Sequence, residues 1–126
     1  MTHRELFEAF TALGPLRIIS IAGASVFESI CRLEQWGIND GYMNAFTDAY
    51  HWHVDLGRFR HVRTRDETHD RSGRRVLYFE LCEEAGAEPF LRVYVHREKN
   101  VAFDDTREQA FNGLHALLGT GAAVAS

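Results

Sequence analysis

The 126-residue chain carries a formal net charge of −4, with 45% hydrophobic and 25% charged residues. That length suits one domain with a real core and is short for two. The composition excludes intrinsic disorder, and the acidic total argues against nucleic acid or an anionic membrane as a bulk partner. Two cysteines, Cys31 and Cys82, form no Cys-x-x-Cys pair and no zinc spacing. They read as packing residues of a reduced, cytoplasmic protein. The first residues lack the apolar core of a signal peptide, and no apolar run approaches the roughly 20 residues of a membrane span.

Thr2-His3-Arg4-Glu5 fits a capping box, followed by Leu6, Phe7, Phe10 and Leu13 on one side of a short helix that Gly14-Pro15 stops. From Leu16 the period changes. Leu16 to Ala22 reads as a strand and Gly23-Ala24-Ser25 as a turn, while Val26 to Leu33 fits strand or helix, with strand preferred. Trp36 to Gly41 reads as a loop, because Asn39-Asp40-Gly41 supplies turn geometry. Tyr42 to Phe46, Tyr50 to Leu56 and Phe59 to Thr64 are three more strands, and Thr68 to Gly73 is a polar hairpin loop. Arg75 to Cys82 alternates with Leu77, Phe79 and Leu81 on one face, and Phe90 to His96 alternates again.

Asp105-Thr106-Arg107-Glu108 opens a second helix with Ala110, Phe111, Leu114, Leu117 and Leu118 as its apolar stripe, and Gly119 ends it. The small residues from Thr120 to Ser126 predict a frayed tail. The pattern is α+β and forms one domain over 1–126. It has a helix in 1–15, about seven antiparallel strands in 16–97, and a helix in 104–119.

Tyr50-His51-Trp52-His53-Val54-Asp55 is the segment richest in chemistry. On a strand, residues two apart share a face, so His51, His53 and Asp55 oppose Tyr50, Trp52 and Val54. Imidazole is a common metal ligand and proton carrier. A plain solvent-facing polar face fits the same pattern, and the residues do not choose between the two. His61 falls on a following strand and His69 in the polar loop, while His96 and His115 read as surface residues.

Arginines crowd one stretch, with Arg58, Arg60, Arg63 and Arg65 falling on two strand faces. Charged strand edges that discourage aggregation explain such a run, and so do guanidinium groups placed to pair with a carboxylate ligand. No nucleophile elbow and no phosphate-binding glycine loop is present. The residues designate no reaction.

From Leu16 to about Leu118 the chain resembles one repeat of the haem-utilisation proteins of the HemS and ChuX type. Gly41-Tyr42-Met43-Asn44, Trp52-His53-Val54 with His61-Val62, and Gly73 to Glu80 followed by Phe90 to Val95 carry the likeness, with Phe111 in the closing helix. The resemblance implies large antiparallel sheets stacked between helices. Because this chain holds one repeat, it also implies a homodimer. It further implies haem as cofactor, with His53 as axial ligand, His51 as an alternate, and Arg58, Arg60 and Arg63 as neighbours suited to the propionates. The expected role is intracellular haem and iron handling by binding or transfer, with haem degradation as a third possibility. One departure weighs against it. Where family members place a basic residue, Ile21 to Phe27 holds no histidine, arginine or lysine. The alternative is a non-haem small-molecule-binding or protein-interaction module that keeps the fold without the ligand.

Overall fold

The computed structural model describes residues 1–47 and 50–126. It opens with helix α1 (His3–Ala12) and closes with α2 (Asp105–Leu118). Between and after them run β1 (Pro15–Ala22), β2 (Ser25–Arg32), β3 (Trp36–Asn39), β4 (Tyr42–Phe46), β5 (His51–Asp55), β6 (His61–Thr68), β7 (Arg75–Cys82), β8 (Leu91–Val95) and β9 (Ala122–Ala123). The described strands form two antiparallel sheets, one of six in the order β2-β1-β8-β7-β6-β9 and one of three in the order β3-β4-β5. The α+β reading therefore holds, with nine strands in two sheets in place of about seven in one.

Local rules account for most elements. Thr2 and Glu5 form the capping box, with Glu5 N–H donating to Thr2 Oγ1 at 3.1 Å and Thr2 N–H to Glu5 Oε1 at 3.2 Å. Leu6, Phe7, Phe10 and Leu13 are all buried, so α1 turns one apolar stripe to the core. Asp104 caps α2 by accepting from Thr106 N–H and Arg107 N–H.

The large sheet has two unlike faces. Ile18, Val93, Phe79 and Thr64 form one cross-strand row on the inner face, where both helices pack. Phe79 meets Phe10 of α1 at 4.9 Å and Phe111 of α2 at 5.4 Å between ring centroids. On the outer face the matching rows are Arg17, Tyr94, Tyr78, Arg65 and Ile19, Arg92, Glu80, Arg63. Met43, Ala45 and Val54 of the small sheet join the inner core, where Phe7 touches Trp36 and Trp52 at 5.9 and 6.2 Å.

Four expectations need correction. Trp36 to Asn39 is a strand, paired from Trp36↔Ala45 to Asn39↔Tyr42 around a two-residue turn. Asp40 and Gly41 take φ of 53° and 80° there, as a hairpin of primed type requires, so the turn chemistry was right and its reach was overdrawn. The tail is docked. Ala122 and Ala123 pair with Val62 and His61, Val124 is buried, and Ala125 C=O accepts from His3 N–H at 2.9 Å. Backbone pairing on a sheet edge asks nothing of side-chain size. Leu117 is 67% exposed, because α2 buries Phe111 and Leu118 and turns Leu117 outward. His96 and His115 are half-buried, and His115 stacks on Phe111 while its Nδ1 lies 2.6 Å from Thr64 Oγ1. Of the cysteines, Cys82 is buried and Cys31 half-buried, and both are free.

Arg107 ties these layers together. Its guanidinium donates to three backbone carbonyls, those of Leu13, His96 (2.7 Å) and Pro15 (2.6 Å). One side chain of α2 thus satisfies the end of α1, the start of β1 and the exit of β8. Arg107→Ala removes the guanidinium from the Leu13 and His96 carbonyls and leaves Pro15 C=O only the His96 amide. It is expected to lower the unfolding free energy by roughly 2–4 kcal/mol, read from urea denaturation midpoints at unchanged m-value.

Candidate functional site

The segment singled out in the sequence is β5, an edge strand of the small sheet. Its apolar side faces inward, with Val54 buried and Trp52 packed on Phe7. His51 and His53 are exposed on the other side. Asp55 is committed to the chain itself, because its Oδ1 accepts from Gly57 N–H at 2.9 Å and closes the turn after β5.

His53 is held by a neighbour that reasoning from single residues did not find. The β4–β5 register sets Asn44 opposite His53, and Asn44 Oδ1 lies 2.6 Å from His53 Nδ1. The amide nitrogen of Asn44 donates to Tyr42 C=O at 3.3 Å, so its oxygen is the end presented to the ring. Nδ1 is then the protonated nitrogen and Nε2 keeps a free lone pair. A partner of this kind orients a ligating imidazole and fixes its tautomer. Pairing Tyr42–Phe46 with Tyr50–Leu56 brings the two segments together, but only the observed register, Phe46 opposite His51, sets residue 44 against residue 53.

His53 borders a solvent-open cleft of about 380 Å³ between β5 and the ends of β1 and β8. Ile21, Ala22, Val54, Phe90 and Leu91 give it apolar walls, and Arg58, Asp55 and Glu83 supply its charges. Arg58 is exposed and bonded to Glu83 at 2.5 Å. The wall formed by Ser20, Ile21 and Ala22 offers a hydroxyl and no basic side chain, as the sequence of that stretch requires.

The other predicted residues divide. His51 lies beside His53, with ring centroids 6.3 Å apart, and packs edge-on to Phe46 at 5.0 Å. Arg60 is exposed and donates from Nε to Gly57 C=O at 3.1 Å. Arg63 lies on the outer face of the large sheet, where its Nε is 3.3 Å from Glu80. None of His51, Arg60 and Arg63 lines the cleft. Among the described residues, no three His, Cys, Asp or Glu side chains gather to hold a metal ion on their own.

Glu80 accounts for two arginines of the run, Arg63 and Arg65. Its carboxylate, 6% exposed, faces Arg65 at 2.9 Å, Arg63 at 3.3 Å and Arg92 at 3.4 Å. Burial works to raise its pKa, but the Arg65 hydrogen bond and the charges of Arg63, Arg65 and Arg92 outweigh that and hold it below the usual carboxylate value.

The comparisons with known proteins agree with the architecture. No protein-family model matches the sequence, and no curated protein matches it at a significant level. Solved structures do match in fold. A protein from Agrobacterium tumefaciens superposes with a TM-score of 0.73 at 18% identity, over 90% of this chain and 64% of its own. The haem-binding protein ChuX gives 0.74 at 14% identity, over 91% and 71%. ChuS, a haem oxygenase of E. coli, gives 0.70 at 14%, over 88% of this chain and 33% of its own. The chain thus has a HemS/ChuX-like fold, and it spans about two thirds of the first two proteins and a third of ChuS. No helix among the described residues is long and apolar enough to cross a membrane.

A carboxyl held low in the folded chain stabilises it above the unfolded pKa, and that contribution drains away as pH falls through the folded value. Unfolding free energy is therefore expected to drop as pH falls through and below the ordinary glutamate range. Glu80→Gln should be less stable than the parent at pH 7 and should lose less on acidification, as followed by denaturant titrations across that range.

Proposed function

We propose that this protein binds haem in the β5 cleft, for intracellular haem and iron handling by binding or transfer. The observation that carries the reading is His53, its Nδ1 fixed by Asn44 and its Nε2 free, lining a cleft with apolar walls that falls within the size range of small-molecule sites. The fold it shares with ChuX, a haem-binding protein, supports the choice of ligand.

The residues present fit the group. His53 Nε2 would be the iron ligand, with His51 the alternate beside it. Ile21, Phe90 and Leu91 would exclude water from the macrocycle, and Arg58 would pair with a propionate on release from Glu83. Bound haem would supply iron coordination and redox chemistry, tuned by its axial imidazole and the polarity around it. With no basic side chain from Ile21 to Phe27, the β1 side of the cleft would add no second protein ligand. Haem degradation, the activity of ChuS, is a variant of this reading and needs the same binding step.

The second reading, a non-haem binding or interaction module, draws on that bare wall and on the Arg58–Glu83 pair already closed across the cleft. A hemin titration separates the two. A saturable Soret shift, lost in His53→Ala and weakened on the order of tenfold in Asn44→Ala, is the expected result. No saturable shift in the parent protein leaves the second reading standing.

We further propose a cytoplasmic homodimer formed through the outer face of the large sheet. Both helices lie on the opposite face, and Val26 and Ile30 of β2 stand exposed on the uncovered one. Light scattering should report twice the 14.4 kDa chain mass, and a monomer at micromolar concentration would remove the proposal.

A further inference from the structure

We propose that the protein carries a second ligand site, separate from the β5 cleft, for a small doubly charged oxyanion. The site is a cavity of about 200 Å³ where β1, the start of β7 and the exit of β8 meet. Arg17, Arg74, Arg75, Arg97, His96 and Phe103 form its chemically active lining. It shares no lining residue with the cleft at His53.

Charge accounting carries the inference. Four guanidinium groups line the cavity, and among the described residues no carboxylate does. Arg75 is neutralised from outside, bidentate to Asp66 at 2.8 and 2.9 Å and bonded to Glu108 at 2.6 Å. Arg17 has Glu28 at 3.8 Å. Arg74 and Arg97 are bonded only to backbone carbonyls. Arg74 Nη2 donates to Arg97 C=O at 3.3 Å, and Arg97 donates to Arg75 C=O at 2.9 Å and Val101 C=O at 3.2 Å. Among the described residues, these two positive charges have no counter-charge in contact.

Those two groups are also arranged to bind. Arg97 rests over the Phe103 ring at 4.3 Å and is pinned by its two carbonyls, so its remaining N–H groups point in fixed directions. A guanidinium held this way recognises an oxyanion at little entropic cost. His96 faces the same cavity, and its Nδ1 is buried without a hydrogen-bond partner. Its Nε2 lies 3.5 Å from Glu98, which is itself well exposed.

Size narrows the ligand class. At about 200 Å³ the cavity falls below the roughly 300–1,000 Å³ usual for drug-sized ligands. It suits phosphate or a short dicarboxylate and does not suit a porphyrin. Arg74 and Arg97 also wall a neighbouring hollow of about 400 Å³ that reaches Lys99 and Ser72, so a phosphate on a larger molecule has room to extend.

Calorimetric titration of the full chain with inorganic phosphate, and separately with succinate, tests the proposal. The expected result is saturable 1:1 binding of at least one of them, weakened tenfold or more in Arg74→Gln and less in the charge-conserving Arg74→Lys. A hemin titration of Arg74→Gln should be unchanged. Absence of saturable binding of both probes, or equal affinity in Arg74→Gln, overturns the site. Parallel loss of hemin binding in Arg74→Gln overturns its separateness. Because phosphate binding is read without haem, failure here and failure of the haem reading are distinguishable.

Discussion

The position of every functional side chain in this protein depends on one ring, Phe79, clasped on the inner face of the large sheet by Phe10 and Phe111. That clasp sets both helices against the sheet. Through α1 it also sets Phe7, which meets Trp36 and Trp52 and so fixes the small sheet. β5 is therefore located by aromatic contacts relayed from the centre of the other sheet. Burial of such rings is among the largest favourable terms a chain of this size has, and edge-to-face packing adds direction to it.

The two sides of the large sheet follow different physics. Inside, the energy comes from apolar burial and shape. Outside, order comes from charge, with Glu80 gathering Arg63, Arg65 and Arg92, and at the rim of the helix-bearing face Asp66 and Glu108 of α2 hold Arg75. Where those acids run out, beyond Arg75, positive charge is left over at the cavity next to Phe103. The β5 cleft is the reverse case. Its walls mix apolar and polar side chains, its guanidinium is already paired with Glu83, and its distinctive group is a single oriented imidazole. One chain thus presents two concavities of opposite chemical character.

Much of the architecture was legible because local signals and burial agreed. The Thr2–Glu5 box, the alternation of Leu77, Phe79 and Leu81, and the Phe111 helix each state their structure twice, once in propensity and once in pattern. Legibility failed where the side chains were uninformative. Ala122 and Ala123 become a strand through backbone pairing alone, and Gly37 and Asn39 hide a strand behind residues that usually mark turns. At the site, the face bearing His51 and His53 could be read from period two. Partnership could not be read one residue at a time: Asn44 needs a register, Arg63 needs knowledge of its sheet, and the leftover charge on Arg74 and Arg97 needs every carboxylate placed. Charge crowding in a sequence shows that something must be compensated without showing what compensates it.

The docked tail has a topological consequence. Thr2 bridges to Ala125, Ala125 C=O takes the amide of His3, and the His3 ring reaches Phe59 C=O at 2.6 Å, so both ends of the chain are stitched into one corner of the large sheet. A peptide of a few residues would join them into a ring without disturbing either seam. New ends could then be opened at the exposed 69–73 turn, giving a circularly permuted chain whose strand order in space is the same while its order in synthesis is not.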